Sequence, residues 1–347
     1  MAEKNTTYRI FEHISDVDIS EQDIMDYDPV VLDKLLIDHT MSARARAEAS
    51  DQEKVVNIFW ATSDYENSVL DEHGNFIEEG YRYDDEIKPE HITGRFRRIV
   101  MPRVLKGKQA QLDRTKDKAE VFTPSWVCNE QNNLIDEAWF GRKDVFNKSE
   151  NKCWKVNKEN IVFPKDKNWK NYVDARRLEI SCGEAPYLVS RYDTVTGKEI
   201  PIEERIGLLD RKLRIVNENT FTEDEWFYWV KRAYESIYGY EYQGDSLLIA
   251  RENLLYTFIE NKEYKFSHKP DEEQLQIIAR IISWNIWQMD GITMSAPYSE
   301  QPRVNTQLTL FDLLDGTEIS DKEPIPCRIY DWRSNKSLEF KSMMNGG

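Results

Sequence analysis

Cysteine and histidine are scarce in this sequence of 347 residues, at four and five respectively. The cysteines (Cys128, Cys153, Cys182, Cys327) lie far apart with no C-x-x-C pair, and the histidines (His13, His39, His73, His91, His268) are equally scattered. That spacing argues against a structural zinc site, so no metal is expected. Disulfides are not expected either. No run of about 18 apolar residues occurs, so no membrane span is expected. The first residues, MAEKNTTYRIFEH, lack the apolar core of a signal peptide. The expected location is therefore cytoplasmic. Internal repeats and low-complexity tracts are absent.

Positive charge is also in deficit. A net charge of −16 argues against a protein that coats itself with nucleic acid. The deficit is uneven. Residues 94–118 hold nine Lys or Arg against two Asp, whereas the first 90 residues are strongly acidic. The basic run has two readings. Arg95, Arg97, Arg98, Arg103, Lys106 and Lys108 could contact DNA phosphates and release counterions. Alternatively, the run is a solvated face or linker.

What is present has the pattern of a mixed α/β chain. Residues 1–93 read as an accessory α+β region. The spacing of Val31, Leu32, Leu35 and Leu36 predicts a helix, 54–62 reads as a strand, and 73–76 as a turn. Thr123-Pro124 marks a helix entry. Residues 143–172 read as loop with short elements. Residues 175–193 predict a short strand, a tight turn and a helix start at Pro186. A helix is expected over 203–216, and Thr222 with Glu225 forms a capping box for the next. Residues 236–242 then read as a strand, 245–259 as an amphipathic helix, 271–283 as another helix and 283–291 as a third strand. Strand, helix, strand, helix, strand is the order of a parallel sheet with crossover helices. Such sheets bind ligands at the carboxyl ends of their strands.

Glu179, Glu241 and Asp290 fall at or near those ends. Carboxylates there can accept from the ribose diol and the adenine amino group of a nucleoside cofactor, each charge-assisted bond contributing roughly 1.5–3 kcal/mol. The small-residue turn Ser181-Cys182-Gly183-Glu184-Ala185-Pro186 allows close approach of backbone to a ligand, with Gly183 supplying the freedom in φ. Acids at strand ends are also commonly just solvated.

Four segments in order resemble the adenine-N6 DNA methyltransferases of bacterial restriction–modification systems, over roughly residues 95–345. Phe122-Thr123-Pro124 is similar to the segment that closes over the methionine end of the cofactor. Leu178 to Leu188 is similar to the first motif, Tyr238-Gly239-Tyr240-Glu241 to the second, and Asn285 to Gly291 to the third. The resemblance implies a Rossmann-like S-adenosylmethionine-dependent sheet in 94–347, with an insertion about 194–234. It implies cofactor contacts from Phe122, Thr123, Pro124, Glu179, Ser181, Cys182, Gly183, Pro186, Glu241 and Asp290. Glu241 would hold the ribose hydroxyls and Asp290 would read the adenine. Double-stranded DNA is the implied partner.

The sequence departs from the family in three places. The first loop has one glycine. Glu184 puts an acid beside the anionic methionine tail. The family's Asn/Asp-Pro-Pro-Tyr/Phe tetrapeptide, which holds the flipped target base, is missing. Ser295-Ala296-Pro297-Tyr298 is the nearest match, with Tyr298 the candidate catalytic residue and a plain turn the alternative. Ile329 to Phe340 is similar to the family segment leading into that tetrapeptide, so the chain is expected to end about where the catalytic motif begins. A second chain could then supply the motif or the target recognition. Two other readings stay open: a non-catalytic methyltransferase-like protein that binds DNA or a partner, and a nuclease built on the E-x-K triplet Glu263-Tyr264-Lys265.

Overall fold

Helices α1 (Glu21–Tyr27), α2 (Pro29–Leu36) and α3 (His39–Ala49) begin the structure, a computed structural model that describes residues 20–49, 52–66, 80–106, 123–299 and 324–344. Phe122, Lys108 and the turn expected at 73–76 lie outside these residues. α2 forms as its spacing predicts: Pro29 occupies the first turn, the Asp28 carboxylate accepts from Val30 N–H, and Val31, Leu32, Leu35 and Leu36 are all buried. Residues 54–61 are extended but make only isolated bridges, Ile37 with Asn57 and Phe59 with Glu86. The expected strand gains no continuous ladder, because its bonds are divided among separate segments: Ile58 N–H donates to Leu36 O and Trp60 and Ala61 N–H to Asp85 O and Tyr83 O, while side chains take others. Gln288 Oε1 accepts from Phe59 N–H and Glu86 Oε2 from Asn57 N–H.

Helix α4 (Ser125–Phe140) follows Thr123-Pro124 and ends on Gly141 in the left-handed region. Strands β1 (Asn147–Glu150) and β2 (Cys153–Val156) form a hairpin, and α5 (Trp169–Val173) is a short helix. The centre of the fold is a parallel sheet of β3 (Arg177–Ile180), β4 (Ile237–Glu241) and β5 (Ile286–Gln288), in that order. Helices α6 (Leu208–Asn219) and α7 (Glu223–Tyr234) connect β3 to β4. Helices α8 (Gly244–Phe266) and α9 (Glu272–Asn285) connect β4 to β5. The expected strand–helix alternation is thus present as a mixed α/β architecture.

Two expectations need correction. No helix starts at Pro186. The chain runs through turns and a short 3-10 segment at Ile202–Glu204 until α6 begins at Leu208, and the carbonyls of Tyr187 and Leu188, which a helix would pair four residues on, accept instead from Leu208 and Leu209 N–H. Helix α8 is not amphipathic, being buried on nearly every side through Ile259. It runs between β4, β5, α9, α6 and α2. Arg251 within it is fully buried and donates to the carbonyls of Leu35, Ile37, Ser283 and Ile286. That one guanidinium ties the N-terminal helices to the sheet.

The apolar core runs from Ile24 to Ile286 and includes α2, α6 to α9 and the helix-facing side of the sheet. A second, smaller cluster of Tyr238, Trp287, Met289, Cys327, Ile329 and Phe340 covers the other face over β4 and β5. It is supplied by hairpin β6 (Arg328–Asp331) and β7 (Lys336–Glu339) and by α10 (Phe340–Met344). This hairpin is a separate two-stranded sheet and does not extend the parallel one.

Candidate functional site

The site is built where β3 and β4 end. Past Ile180 the chain turns through Ser181 (φ 53°), Gly183 (φ 52°) and Ala185 (φ 63°). Two of these three are not glycine, so the loop carries strain of order 1–3 kcal/mol per residue that its surroundings must offset. Two carboxylates do this. Glu179 Oε1 and Oε2 accept from the N–H groups of Tyr187 (3.3 Å) and Leu188 (3.2 Å). Glu241 Oε2 accepts from Gly183 N–H (2.9 Å) and Ser181 Oγ–H (3.2 Å). Its Oε1 accepts from the N–H groups of Tyr242 (2.9 Å) and Gln243 (3.2 Å). Burial pushes both carboxyl groups above the usual carboxylate range, Glu179 far above it, and the N–H donors oppose the shift.

Asp290 stands two residues beyond β5, and Met289 N–H donates to Glu241 O (3.0 Å), which holds the ends of β4 and β5 together. Asp290 Oδ1 accepts from Ile292 N–H (2.7 Å) and Thr293 N–H (3.1 Å) in a tight turn. Its Oδ2 has no hydrogen-bond partner among the described residues, and the residue is half-buried. Among the three acids, Asp290 is the one with an oxygen to spare. Glu179 serves the loop, and Glu241 is engaged at both oxygens.

The structure moves two sequence candidates off the cleft. The Cys182 side chain is buried, and a Cβ on Gly239 would lie 3.2 Å from its Cβ and Sγ. The thiol faces the core, burial pushes its pKa well up, and only its backbone lies on the loop. Glu184 does not stand beside a ligand tail. It is buried, its Oε1 accepting from Arg103 N–H (2.6 Å) and its Oε2 from Tyr192 O–H (2.7 Å). Pro186 is half-buried within the turn. Thr123 does reach this region: its carbonyl accepts from Thr194 Oγ1–H (3.0 Å), and Ser125 N–H donates to Asp193 Oδ2 (3.2 Å). Asn132 Nδ2 also donates to Tyr187 O (3.0 Å). Thr123 and the start of α4 are thus docked on the segment that follows the β3 loop.

Of the basic candidates, Arg95, Arg97 and Arg98 are exposed. Arg103 and Lys106 are partly buried, and Lys106 Nζ lies 3.1 Å from Asp245 Oδ2 at the start of α8. Lys106 is therefore committed to a protein carboxylate. Ser295-Ala296-Pro297-Tyr298 lies at the same edge of the sheet. Ser295 bridges Asp290 and Pro326, and its Oγ is 2.6 Å from Thr293 Oγ1. It acts as turn structure.

Sequence reading missed a group of aromatic rings here. Tyr298 packs on Tyr83 (ring centroids 5.3 Å), Phe59 (6.0 Å) and Tyr242 (6.4 Å), and Tyr242 O–H donates to Tyr298 Oη (3.3 Å). Burial pushes the Tyr298 phenol well up. Tyr242 directly follows Glu241 and carried a local signal. Phe59 and Tyr83 carried none, because only tertiary packing brings them here. Gln288 was also missed: its Nε2 donates to the carbonyls of Phe59 and Tyr242 (both 2.8 Å).

Chemically, the edge offers hydrogen-bond acceptors and backbone N–H groups. Among the described residues no cluster of His, Cys, Asp and Glu could hold a metal ion, and no helix is long and apolar enough to cross a membrane. Glu263-Tyr264-Lys265 is helical, within α8, and Lys265 Nζ donates to Asn217 O (2.6 Å). Residues two apart on a helix point to different sides, so the triplet does not converge on one point. A cavity of about 740 Å³ beside it is lined by Asp210, Arg214, Glu218 and Tyr264. Its size is that of a ligand site, but Arg214 is bonded to Glu218 and to the carbonyls of Asn157 and Glu159. The sheet edge has the more open chemistry. No family model, no curated protein and no solved structure matches this chain.

Proposed function

We propose that the chain is the S-adenosylmethionine-binding part of an adenine-N6 DNA methyltransferase of a restriction–modification or related defence system, with a Rossmann-like methyltransferase sheet. One observation carries the reading. Glu241 ends one parallel strand and Asp290 stands two residues past its neighbour, beside a strained loop rich in small residues, with Thr123 and the start of α4 bonded to the segment that follows that loop. Carboxylates in those two positions suit a ribose diol and an adenine amino group, and Asp290 Oδ2 has capacity for one such bond. The cofactor supplies the methyl group. The residues of this chain bind and orient it. The exposed Arg95, Arg97 and Arg98 suit phosphate contact, and a second chain supplies the acceptor-holding motif that this sequence lacks.

A second reading has a specific observation in its favour. Glu241 is fully engaged by Ser181, Gly183, Tyr242 and Gln243. A loop so well tied to its acid suits a non-catalytic methyltransferase-like protein that recognises DNA or a partner subunit. Titration calorimetry with S-adenosylmethionine separates the two. The first reading expects saturable binding, weakened about 10- to 150-fold by Asp290→Ala, the equivalent of one charge-assisted hydrogen bond. Absence of binding at millimolar ligand favours the second, and full affinity in Asp290→Ala overturns the role given to Asp290.

A further inference from the structure

The cavity of about 740 Å³ beside α8 shares no lining residue with the strand-end site, and its volume is that of a small-molecule site. It is walled by the end of β2, the 3-10 turn Ile202–Glu204, α6 and the later turns of α8. What it can hold follows from which wall groups are already engaged. Arg214 donates to Glu218 and to the carbonyls of Asn157 and Glu159, and Lys265 donates to Asn217 O. Glu218 is engaged at both oxygens, by Arg214 and by Ile161 N–H. The amides are paired as well, Asn217 donating to Asn261 Oδ1 and Asn261 to Thr257 O. Acceptors remain. Asp210 lines the wall and is 7% exposed. Its Oδ2 accepts from Ser190 N–H (2.8 Å), Ser190 Oγ–H (2.9 Å) and Gly207 N–H (3.0 Å). Its Oδ1 is buried and has no donor among the described residues. Arg205 favours the charged form, but gives its Nε–H to Ile200 O and an Nη1–H to Glu260. A carboxylate oxygen shut away from water without a donor is unfavourable. Glu203 and Glu204 add two exposed carboxylates in the 3-10 turn, and that of Glu204 makes no hydrogen bond or ion pair among the described residues.

We propose that this cavity binds a small organic polyamine, a flexible chain of N–H-bearing cationic centres joined by methylenes. One N–H donor of the ligand serves Asp210 Oδ1, and its other cationic centres lie against Glu203 and Glu204. Its methylenes lie on the apolar wall of Val156, Ile202 and Tyr264, whose ring face also attracts a cation. An anionic ligand would find Arg214 and Lys265 already bonded to protein. The three free acids do not converge as metal ligands would, since no cluster among the described residues could hold an ion. The ligand must therefore span them, as a chain of spaced charges does. Lys158 lines the same cavity and is exposed, and its charge opposes such a ligand. The site stands apart from the reading given to the strand ends and does not depend on it.

Titration calorimetry of the full chain with spermidine tests this. One molecule per chain should bind, with a dissociation constant below about 1 mM. Asp210→Asn keeps an acceptor for Ser190 and Gly207 and puts an amide N–H where Oδ1 stands, so it should weaken binding about 10-fold or more. Glu204→Gln should weaken it about 2- to 5-fold, and Lys158→Ala should strengthen it by a similar factor. Both change exposed side chains and should keep the melting temperature of the parent, so they carry the test if Asp210→Asn fails to fold. Tetraethylammonium has the charge without an N–H and should bind about 10-fold or more weakly than spermidine. No saturable binding up to about 10 mM overturns the proposal. So does tetraethylammonium binding as tightly as spermidine. Several equivalents per chain, or an affinity unmoved by Glu204→Gln and Lys158→Ala, would show only a general attraction to a chain of net charge −16, with the same consequence.

Discussion

Asp38 caps α3 from a buried position, its Oδ1 accepting from Met41 N–H (2.9 Å). Burial pushes its carboxyl up to about 6, against the pull of that N–H and of Arg251. The folded value lies above the unfolded one, so this group's stabilising contribution is complete below about pH 4 and is lost as pH rises through about 6. Asp38→Asn keeps the cap acceptor and removes the buried charge. Thermal melts should show it more stable than the parent above pH 6, by up to about 3 kcal/mol, and equal at pH 4. A uniform shift at both pH values would show a packing effect instead. At this scale the sequence showed where acids stand but not what they do. Glu241 and Asp290 were legible because each follows an apolar strand. Cys182 and Glu184 were not, because the side of a turn that faces inward is decided by neighbours distant in sequence. Gly239 leaves room for one, and Arg103 and Tyr192 satisfy the other.

Helix α8 begins so close to the N-terminal segment that a Cβ on Gly244 would lie 1.9 Å from Phe59 O. A backbone carbonyl cannot move aside as a side-chain tip can. Gly244→Ala should lower stability by about 2 kcal/mol or more, measured by urea unfolding, and a neutral result would mean the segment is free to shift. The cap of α7 makes a milder case: Thr222 Oγ1 accepts from Glu225 N–H, and Thr222→Ala should cost about 1 kcal/mol. That cap, α2, α4 and all three parallel strands were legible from local pattern, because hydroxyl–carboxylate spacing and apolar periodicity act within a few residues. The helix expected after Pro186 was a local signal overruled by tertiary pairing, the carbonyls of Tyr187 and Leu188 accepting from the start of α6. The extended run 54–61 was read as a strand from its composition, but its bonds are divided between backbone at Leu36, Tyr83 and Asp85 and the side chains of Gln288 and Glu86, so no ladder forms.

At the scale of the molecule, a net charge of −16 is a self-repulsion that salt screens. Raising ionic strength from about 0.01 M to 0.15 M shortens the screening length from about 30 to about 8 Å. The melting temperature should rise with it, and a fall would mean that ion pairs such as Lys106–Asp245 outweigh the repulsion. The alternation of elements made the α/β class legible, but nothing local announced that residues near 59 and 288 would meet. That meeting bears on how the chain is made. Phe59 finds both of its hydrogen bonds on Gln288, 229 residues later, and the apolar face of α2 packs on α9, nearly as far along. At about 5–20 residues per second, a ribosome needs about 10–45 s to supply the missing surface. Through that interval Leu32, Leu35 and Leu36 have no α9 to cover them. The first helices of this protein are thus among the last to be secured, and its nascent chain is a client for whatever shields apolar helices in the cell.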